Sequence, residues 1–457
     1  MDKTATIIWA VLLFYLALGF LLAVFPDQSN VARNTIFRSV GMMSQQQAHR
    51  VLSPPERLKS RIFGIIFVIG SLFVLTQITW QWGKWPETSS PASAISAYKT
   101  EKHANDADLH QMVSRLVTPI TRQHVGLVVA TIADDAYDIT GFGRIDLDSD
   151  SVPDGETIFE IGSLSKVFTG ISLAESIHRA DLSLQTDVSS LLPELIDLPL
   201  SRIAPVTLEQ LVTHTSGLPR MPAQAFGPSV IWKTIIAGDS YQHYRENDLL
   251  TLMTKKNSSV IQEEEFHYSN AGFGLLGHIL SQRYGMNYDA LIQSMIARPL
   301  DMKDTGIALD SERRMRFASG YRNYVRLGRY YLAQRAVYWN FPNCLAGAGG
   351  LRSTANDMLA FLEANMGRKK SEITPALNLS HRILFSRNAD RIGMAWFHKT
   401  LPLSAESIIF HNGGTGGFSS FLGFSANGRF GICILSNSTK SVDYIGEKIL
   451  ESLALTD

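Results

Sequence analysis

Two long uncharged segments near the start of the chain constrain its architecture more than any other feature. Residues 5–25 and 62–82 each run for 21 residues without a charged side chain. About 20 apolar residues are enough to cross a bilayer as a helix. We therefore predict a transmembrane helix at each position. A cleaved signal peptide is the alternative for the first segment, but its apolar part exceeds the usual length of roughly 7–15 residues and no small-residue cleavage site precedes Pro26.

The segment between the two predicted spans is rich in basic residues. Residues 26–61 contain six Arg and Lys residues and only two acidic ones. Short loops rich in Lys and Arg remain in the cytoplasm, so the second span is predicted to run outward, with Trp80, Trp82 and Trp85 as an interfacial anchor. Residues 1–83 are then a membrane hairpin with a lipid partner, and residues 84–107, rich in Ser, Ala and Pro, are a tether. The protein is predicted to be a multi-pass cell-membrane protein whose main domain, residues 108–457, is extracytoplasmic.

The composition of the chain excludes several classes of function. Lys and Arg total 42 and Asp and Glu total 42, so no overall positive charge attracts nucleic acid. A hydrophobic content of 45% excludes disorder for most of the chain. Two cysteines, Cys344 and Cys433, form neither a disulfide framework nor a zinc motif. We expect no nucleic-acid partner, no metal and no cofactor, and no feature specifies an oligomeric state.

Strand patterns lie at both ends of the large domain and helical patterns lie between them. Residues 208–300 are mostly helical, and further helices are predicted at 108–117, directly after Ser163, and at 442–453. Predicted strands cover residues 125–132, 139–145, 408–411, 418–424 and 430–435, the last two joined by a turn at Asn427-Gly428. This order indicates an α+β fold, an antiparallel sheet covered by helices, rather than repeated βαβ units.

A serine and a lysine are three residues apart where an extended run meets a long helix. Ser163 and Lys166 would lie on one helical face, about one turn apart. Serine needs a neighbouring base to act as a nucleophile, and a helix N-terminus disfavours the charged form of a lysine. Ser96 and Lys99 have the same spacing without a helix around them, so the spacing alone does not distinguish a catalytic serine from a helix N-cap.

Two further sets of residues could complete such a site. Tyr268 and Asn270 precede an apolar helix and offer a phenol that transfers protons and an amide that orients Lys166 or the substrate. His411, Gly413 and Gly414 end a predicted strand, where glycines allow a substrate backbone to approach and offer N–H groups to a carbonyl oxygen. The alternative for this segment is a flexible hairpin loop. A phosphate cradle is excluded because no Gly-Lys-Ser/Thr follows.

Taken in chain order, these three sets resemble the serine β-lactamase and penicillin-binding-protein superfamily. The chain is most similar to the class C β-lactamase-related branch, which includes DD-peptidases and esterases. The resemblance runs from about residue 125 to about residue 437 and includes the stretches 207–219 and 346–354. It implies a β-lactamase/transpeptidase-like sheet flanked by helices, with a helical subdomain.

The resemblance also implies a role for each matching residue. Ser163 would be acylated, and Lys166 and Tyr268 would share the proton transfers. Asn270 would position these groups, and His411 and Gly413 would line the substrate. The backbone N–H groups of Ser163 and Gly414 would form the oxyanion hole. His214, in the stretch 207–219, would shape a loop.

One departure from the family pattern affects the expected substrate. β-Lactamases of this branch generally have Lys-Thr-Gly where this chain has His411-Asn412-Gly413. A histidine is mostly neutral at pH 7 and would supply a hydrogen bond or only part of a charge to a substrate carboxylate. We therefore expect a serine hydrolase that forms an acyl-enzyme with a D-alanyl peptide of peptidoglycan type, or with a small ester. The alternatives are a sensor of β-lactams or peptidoglycan fragments, and a β-lactamase.

Overall fold

The computed structural model of the protein describes residues 80–84, 104–192, 206–221, 239, 241–253, 265–327 and 330–455. The strands within these ranges are β1 (Trp80–Lys84), β2 (Gly126–Ala133), β3 (Ala136–Gly143), β4 (Phe159–Glu160), β5 (Tyr321–Leu327), β6 (Tyr330–Arg335), β7 (Arg352–Ser353), β8 (Phe385–Arg387), β9 (Asp390–Ile392), β10 (Phe397–Thr400), β11 (Ser407–Gly414), β12 (Ser419–Ser425) and β13 (Phe430–Ser436). The α-helices are α1 (Ala104–Val117), α2 (Ser165–His178), α3 (Leu208–Val212), α4 (Glu246–Leu250), α5 (Asn270–Arg283), α6 (Tyr288–Ile292), α7 (Arg298–Leu300), α8 (Ser311–Met315), α9 (Ala355–Asn365), α10 (Thr374–Ser380) and α11 (Asp443–Ala454).

The main sheet joins strands from the two ends of the domain. Its order is β3-β2-β13-β12-β11-β10-β9-β8, and every neighbouring pair is antiparallel. β13, near the end of the chain, pairs with β2, near the start of the domain, in a register that places Val129 opposite Ile434. The predicted antiparallel sheet is therefore confirmed, including the turn between β12 and β13, where Gly428 has a φ of +72°.

The continuous apolar run of β2 is explained by burial on both faces of the sheet. Successive side chains of a strand point to opposite faces. Leu127 and Val129 belong to a core with α1 and α11, whereas Val128 and Ala130 belong to a larger core that includes α2, α5 and α9. A strand with one face in solvent would alternate apolar and polar residues.

Helices between the sheet strands form most of the larger core and position the site. α2 begins just after Ser163, as predicted, and its residues are buried from Ser165 to Ser176. α5 covers the helix predicted after Asn270, and Ser269 caps it by accepting a hydrogen bond from the backbone N–H of Gly272. A capping box of Thr207 and Gln210 begins α3.

The structure corrects one part of the predicted membrane hairpin. Residues 80–82, placed at the end of the second helical span and in its aromatic anchor, form part of β1, which pairs antiparallel with β6. The alternating Trp-Gln-Trp pattern has the period of two that is typical of a strand, and aromatic residues favour strands. The rest of the two predicted spans, the loop 26–61 and Trp85 lie outside the described residues. Among the helices of the described ranges, none has the length and apolarity needed to cross a bilayer.

The three-stranded sheet β1-β6-β5 was not predicted from the sequence. Both β5 and β6 mix aromatic, charged and aliphatic residues without a clean alternation, and β5 contains an irregularity between Arg322 and Val325. The bulge shifts the pairing and hides the period of two on which strand prediction depends.

Candidate active site

Ser163 lies in a single 3₁₀ turn, Gly162–Leu164, that leads directly into α2. Its side chain is partly exposed, whereas its neighbours Gly162 and Leu164 are buried. The turn requires a left-handed backbone at Gly162, whose φ is +52°. The positive end of the α2 dipole therefore lies beside the hydroxyl and favours negative charge there.

The end of β11 packs against this turn so closely that only glycine fits. β10 pairs with β11 only as far as Phe410, so residues 411–414 have an open side. A Cβ atom at Gly413 would meet the carbonyl oxygen of Ile161 at 2.2 Å and the backbone nitrogen of Ser163 at 3.1 Å. A Cβ atom at Gly162 would meet the backbone nitrogen of Gly414 at 2.7 Å. The backbone nitrogens of Ser163 and Gly414, predicted to form the oxyanion hole, are thereby brought to one place.

Lys166 is completely buried and lies beside the nucleophile. Its Nζ is 2.9 Å from Oγ of Ser163 and donates to the carbonyl oxygen of Ala348 at 2.5 Å. Burial and, secondarily, the positive charge of Arg220 hold the pKa of Lys166 well below its usual value. The neutral amine is therefore favoured. Its contact with the carbonyl of Ala348 uses an N–H donor, so the lone pair of the nitrogen remains to accept the Ser163 proton.

Tyr268 approaches the nucleophile from the other side. Its hydroxyl donates to Oγ of Ser163 at 2.7 Å, and Nζ of Lys166 lies 4.9 Å from the centroid of its ring. Burial raises the pKa of Tyr268 above the usual value, although the hydrogen bond to Ser163 opposes this shift. The phenol is therefore protonated at neutral pH. It acts as a donor, which leaves Lys166 as the base.

Asn270 lies beside the site but does not contact Lys166. Its Nδ2 donates to the hydroxyl of Tyr241 at 3.1 Å, and its Oδ1 is buried without a partner among the described residues. The sequence predicted that this amide would orient either Lys166 or the substrate. In the structure the carbonyl of Ala348, and not Asn270, accepts the hydrogen bond from Lys166. That Asn270 orients the substrate remains a prediction. It is favoured by Oδ1, which is available to accept a hydrogen bond from a substrate.

His411 is buried, close enough to Lys166 to be affected by its charge. Its Nδ1 lies 2.6 Å from the carbonyl oxygen of Asn412, which accepts only, so the ring proton is on Nδ1. Its Nε2 is buried without a partner among the described residues. Burial and, secondarily, the charge of Lys166 lower the pKa of His411 to about 3. At neutral pH Nε2 therefore presents a lone pair, which favours a hydrogen-bond acceptor at this position. The hydrogen bond or partial charge toward a substrate carboxylate that the sequence predicts stays a prediction.

His214 has the structural role that was predicted for it. Its φ is +62°, and its Nδ1 accepts a hydrogen bond from the backbone N–H of Ser269 at 3.0 Å. Its ring centroid lies 4.4 Å from that of Tyr268. His214 thus supports the turn that carries Tyr268, without contacting Ser163.

Two contributors to the site were missed by sequence reasoning. The carbonyl of Ala348 belongs to the 3₁₀ helix Asn343–Ala348, and a backbone oxygen leaves no signal in the residue type. Arg220 is exposed, and its guanidinium carbon lies 5.4 Å from the centroid of the Tyr268 ring. Its sequence signal is its place directly after the stretch 207–219, which the family resemblance includes.

The fold and the site together define a serine hydrolase, with a nucleophile held between a buried amine and a phenol. A family model described as Beta-lactamase matches residues 108–455, well over half of the chain. The chain belongs to this β-lactamase family, and the resemblance predicted from its sequence is confirmed.

Relatives in the family carry several names. A β-lactamase of Pseudomonas fluorescens is 24% identical over 364 residues, covering 72% of this chain and 94% of the relative. The D-alanyl-D-alanine-carboxypeptidase/endopeptidase AmpH of Escherichia coli (strain K12) is 26% identical over 286 residues, covering 59% of this chain and 68% of AmpH. Penicillin-binding protein 4* of Bacillus subtilis (strain 168) is 26% identical over 338 residues, covering 70% of each chain.

Solved structures share the fold. A class C β-lactamase superposes with a TM-score of 0.64 at 23% identity, covering 77% of this chain and 99% of that protein. The D-alanine carboxypeptidase AmpC of Burkholderia cenocepacia gives a TM-score of 0.62 at 22% identity, with coverage of 76% and 99%. The predicted α+β, β-lactamase/transpeptidase-like fold is confirmed.

Proposed function

We propose that this protein is a membrane-anchored, extracytoplasmic serine hydrolase that forms an acyl-enzyme at Ser163 and acts on D-alanyl peptides or small esters. The observation that carries the proposal is the position of Oγ of Ser163, 2.9 Å from the buried Nζ of Lys166 and 2.7 Å from the hydroxyl of Tyr268. A nucleophile and a base within hydrogen-bond reach are the signature of covalent catalysis.

Acylation follows from these positions. Oγ of Ser163 attacks the substrate carbonyl carbon as Nζ of Lys166 accepts its proton. The negative oxygen that develops is stabilised by the backbone N–H groups of Ser163 and Gly414. The C–N or C–O bond then breaks, and the leaving group takes a proton from the phenol of Tyr268. The ammonium of Lys166 then gives its proton to the phenolate of Tyr268, so both groups regain their starting protonation states.

Deacylation uses the same groups in the reverse sense. Water attacks the Ser163 ester and gives a proton to the neutral amine of Lys166, and the oxygen of Ser163 leaves as a hydroxyl with a proton from the phenol of Tyr268; Lys166 then returns its proton to Tyr268. This assignment requires no metal ion and no cofactor. The product acid then dissociates from the open side of residues 411–414.

The choice of substrate is supported by the names of the relatives and by His411. AmpH is named for carboxypeptidase and endopeptidase action on D-alanyl-D-alanine. The acceptor at Nε2 of His411 suits a substrate N–H group, such as a peptide amide, where a lysine would suit a carboxylate. This favours peptide hydrolysis over β-lactam hydrolysis for this chain.

The membrane anchoring is supported by the sequence. The apolar segments at residues 5–25 and about 62–79 and the basic loop between them favour a hairpin with the catalytic domain outside the cytoplasm. A location on the outer side of the membrane is where peptidoglycan-type peptides are found.

The proposal is tested by labelling and turnover with the purified full-length protein. A fluorescent penicillin and a fluorophosphonate are offered to the natural protein and to Ser163→Ala, and the mass of each protein and the release of product from D-alanyl peptides and p-nitrophenyl esters are followed. We expect labelling and turnover only when Ser163 is present. Labelling that persists in Ser163→Ala contradicts the proposal. Labelling that stays on Ser163 without product release indicates the sensor instead.

A further inference from the structure

We propose that Arg220 is the substrate-facing cation of this site and selects substrates that carry a carboxylate. This inference rests on the proposed function and extends it to substrate choice. Arg220 lies 5.4 Å from the ring of Tyr268, whose hydroxyl contacts the nucleophile. The ring of Tyr268 therefore contacts the guanidinium of Arg220, and its hydroxyl contacts Oγ of Ser163.

The position of Arg220 is fixed by the loop that carries the catalytic phenol. Its backbone carbonyl accepts hydrogen bonds from the N–H groups of Asn270 at 3.1 Å and Ala271 at 3.3 Å. The preceding carbonyl, of Pro219, accepts from the hydroxyl of Ser269 at 2.8 Å. Because Ser269, Asn270 and Ala271 follow directly after Tyr268, these hydrogen bonds hold the backbone of Arg220 beside the turn that carries the phenol.

The charge of Arg220 is available to a ligand. The side chain is exposed, and within the described ranges no carboxylate forms an ion pair with it. Its charge nevertheless acts on the site, because it contributes to lowering the pKa of Lys166 and opposes the raised pKa of Tyr268. Since no described carboxylate pairs with this arginine, its donor fork is open to an anion as far as the described residues show.

His411 and Lys166, the other two basic groups of the site, do not supply this cation. His411 is buried and holds its proton on Nδ1 toward Asn412, which leaves only a lone pair at Nε2. Lys166 is committed to Ser163 and Ala348 and is held neutral by burial. A substrate carboxylate that enters the site therefore finds its complementary charge at Arg220.

The inference is tested with matched pairs of substrates that differ in one carboxylate. One pair places it in the acyl part, as in mono-p-nitrophenyl glutarate and p-nitrophenyl butyrate. The other places it in the leaving part, as in benzoyl-D-alanyl thioglycolate and its methyl ester. For each pair, the ratio of kcat/KM for the anionic over the neutral substrate is measured at low and high salt.

The variants are Arg220→Met, Arg220→Lys and, as a control, Arg283→Met. Arg283 is exposed at the far end of α5, about 20 Å along that helix from Asn270. We expect the ratio to fall about 10- to 100-fold in Arg220→Met for at least one pair, mainly through KM, because a charge-assisted hydrogen bond is lost. Arg220→Lys should retain part of the preference, and Arg283→Met all of it. High salt should reduce the preference of the natural protein.

Two results would overturn the inference. The first is a ratio within twofold of the natural value in Arg220→Met for both pairs, while turnover of the neutral substrates still depends on Ser163; the proposed function then stands alone. The second is an absence of Ser163-dependent turnover for all four substrates, which removes the proposed function and the inference with it. If Arg220→Met does not fold, Arg220→Gln takes its place in the same measurement.

Discussion

Lys166 and His411 are two buried bases of the site, and they differ in what their nitrogen atoms contact. Burial lowers the pKa of both groups; the charge of Lys166 lowers the pKa of His411 further, and the charge of Arg220 does the same for Lys166. Nζ of Lys166 lies against Oγ of Ser163, whereas His411 donates to its own neighbour and leaves Nε2 without a partner among the described residues. The comparison teaches that burial makes a base neutral, but only its placement against the nucleophile makes it catalytic.

The largest effect is expected from removing Lys166, which tests its role as the base. Lys166→Met should lower the rate of acylation by about three orders of magnitude or more, because it removes the neutral amine that lies 2.9 Å from Oγ of Ser163 and accepts its proton. The measurement is the rate of labelling by a fluorescent penicillin. Lys303→Met, at a residue 79% exposed, is the matched control and should leave the rate unchanged. A loss under tenfold in Lys166→Met would remove this lysine from its role as base.

A smaller loss is expected when the phenol is removed. Tyr268→Phe keeps the ring against His214 but removes the hydroxyl at 2.7 Å from Ser163, so acylation should slow by about 10²- to 10³-fold. Stopped-flow labelling measures the rate. Tyr284→Phe removes a hydroxyl that binds Ser176 and Asp181 at the far end of α5, and it should leave acylation unchanged. Equal rates in Tyr268→Phe and the natural protein would show that the phenol takes no part.

Replacing His411 by the lysine of the β-lactamase pattern should increase the preference of the site for carboxylated β-lactams. His411→Lys replaces a lone-pair acceptor with a flexible amine that can face a substrate carboxylate. We expect acylation by a carboxylated β-lactam to rise about tenfold, with little change for a neutral ester. The ratio of the two second-order rate constants measures the effect. A folded variant with an unchanged ratio contradicts the role assigned to this position.

The smallest expected effect is on the pH dependence of acylation, which distinguishes the role of Lys166 from that of His411. Acylation requires the neutral form of Lys166, so the rate should fall as the pH falls through the lowered pKa of this lysine. His411 remains neutral until its pKa of about 3. His411→Asn should therefore leave the midpoint of the acid limb within about 0.5 pH unit of the natural value. A larger displacement would assign that limb to the histidine.

The sequence predicted the parts of the fold that depend on long regular patterns. β2, β13, α2 and α11 have apolar runs or helical periods that burial on one or two faces requires. The sheet of β1, β5 and β6 was missed, because its pattern is irregular and it depends on a distant partner. The remaining predicted membrane spans stay predictions.

The sequence predicted which residues form the site, but not all of the contacts between them. Ser163, Lys166 and Tyr268 were placed together because their residue types and spacing match the chemistry. The carbonyl of Ala348 and the position of Arg220 depend on how separate loops approach each other, which no local pattern encodes. The tautomer of His411 follows from a single carbonyl beside it.

The pairing of β13 with β2 has a consequence for biosynthesis. β13 lies between β2 and β12 at the middle of the main sheet, although it ends only at Ser436. Until that segment leaves the ribosome, the β2–β3 hairpin retains an unpaired hydrogen-bonding edge, which is prone to aggregation. The sheet thus cannot close during early synthesis, and a truncated product that ends before β13 should be handled by chaperones and proteases as an unfinished protein.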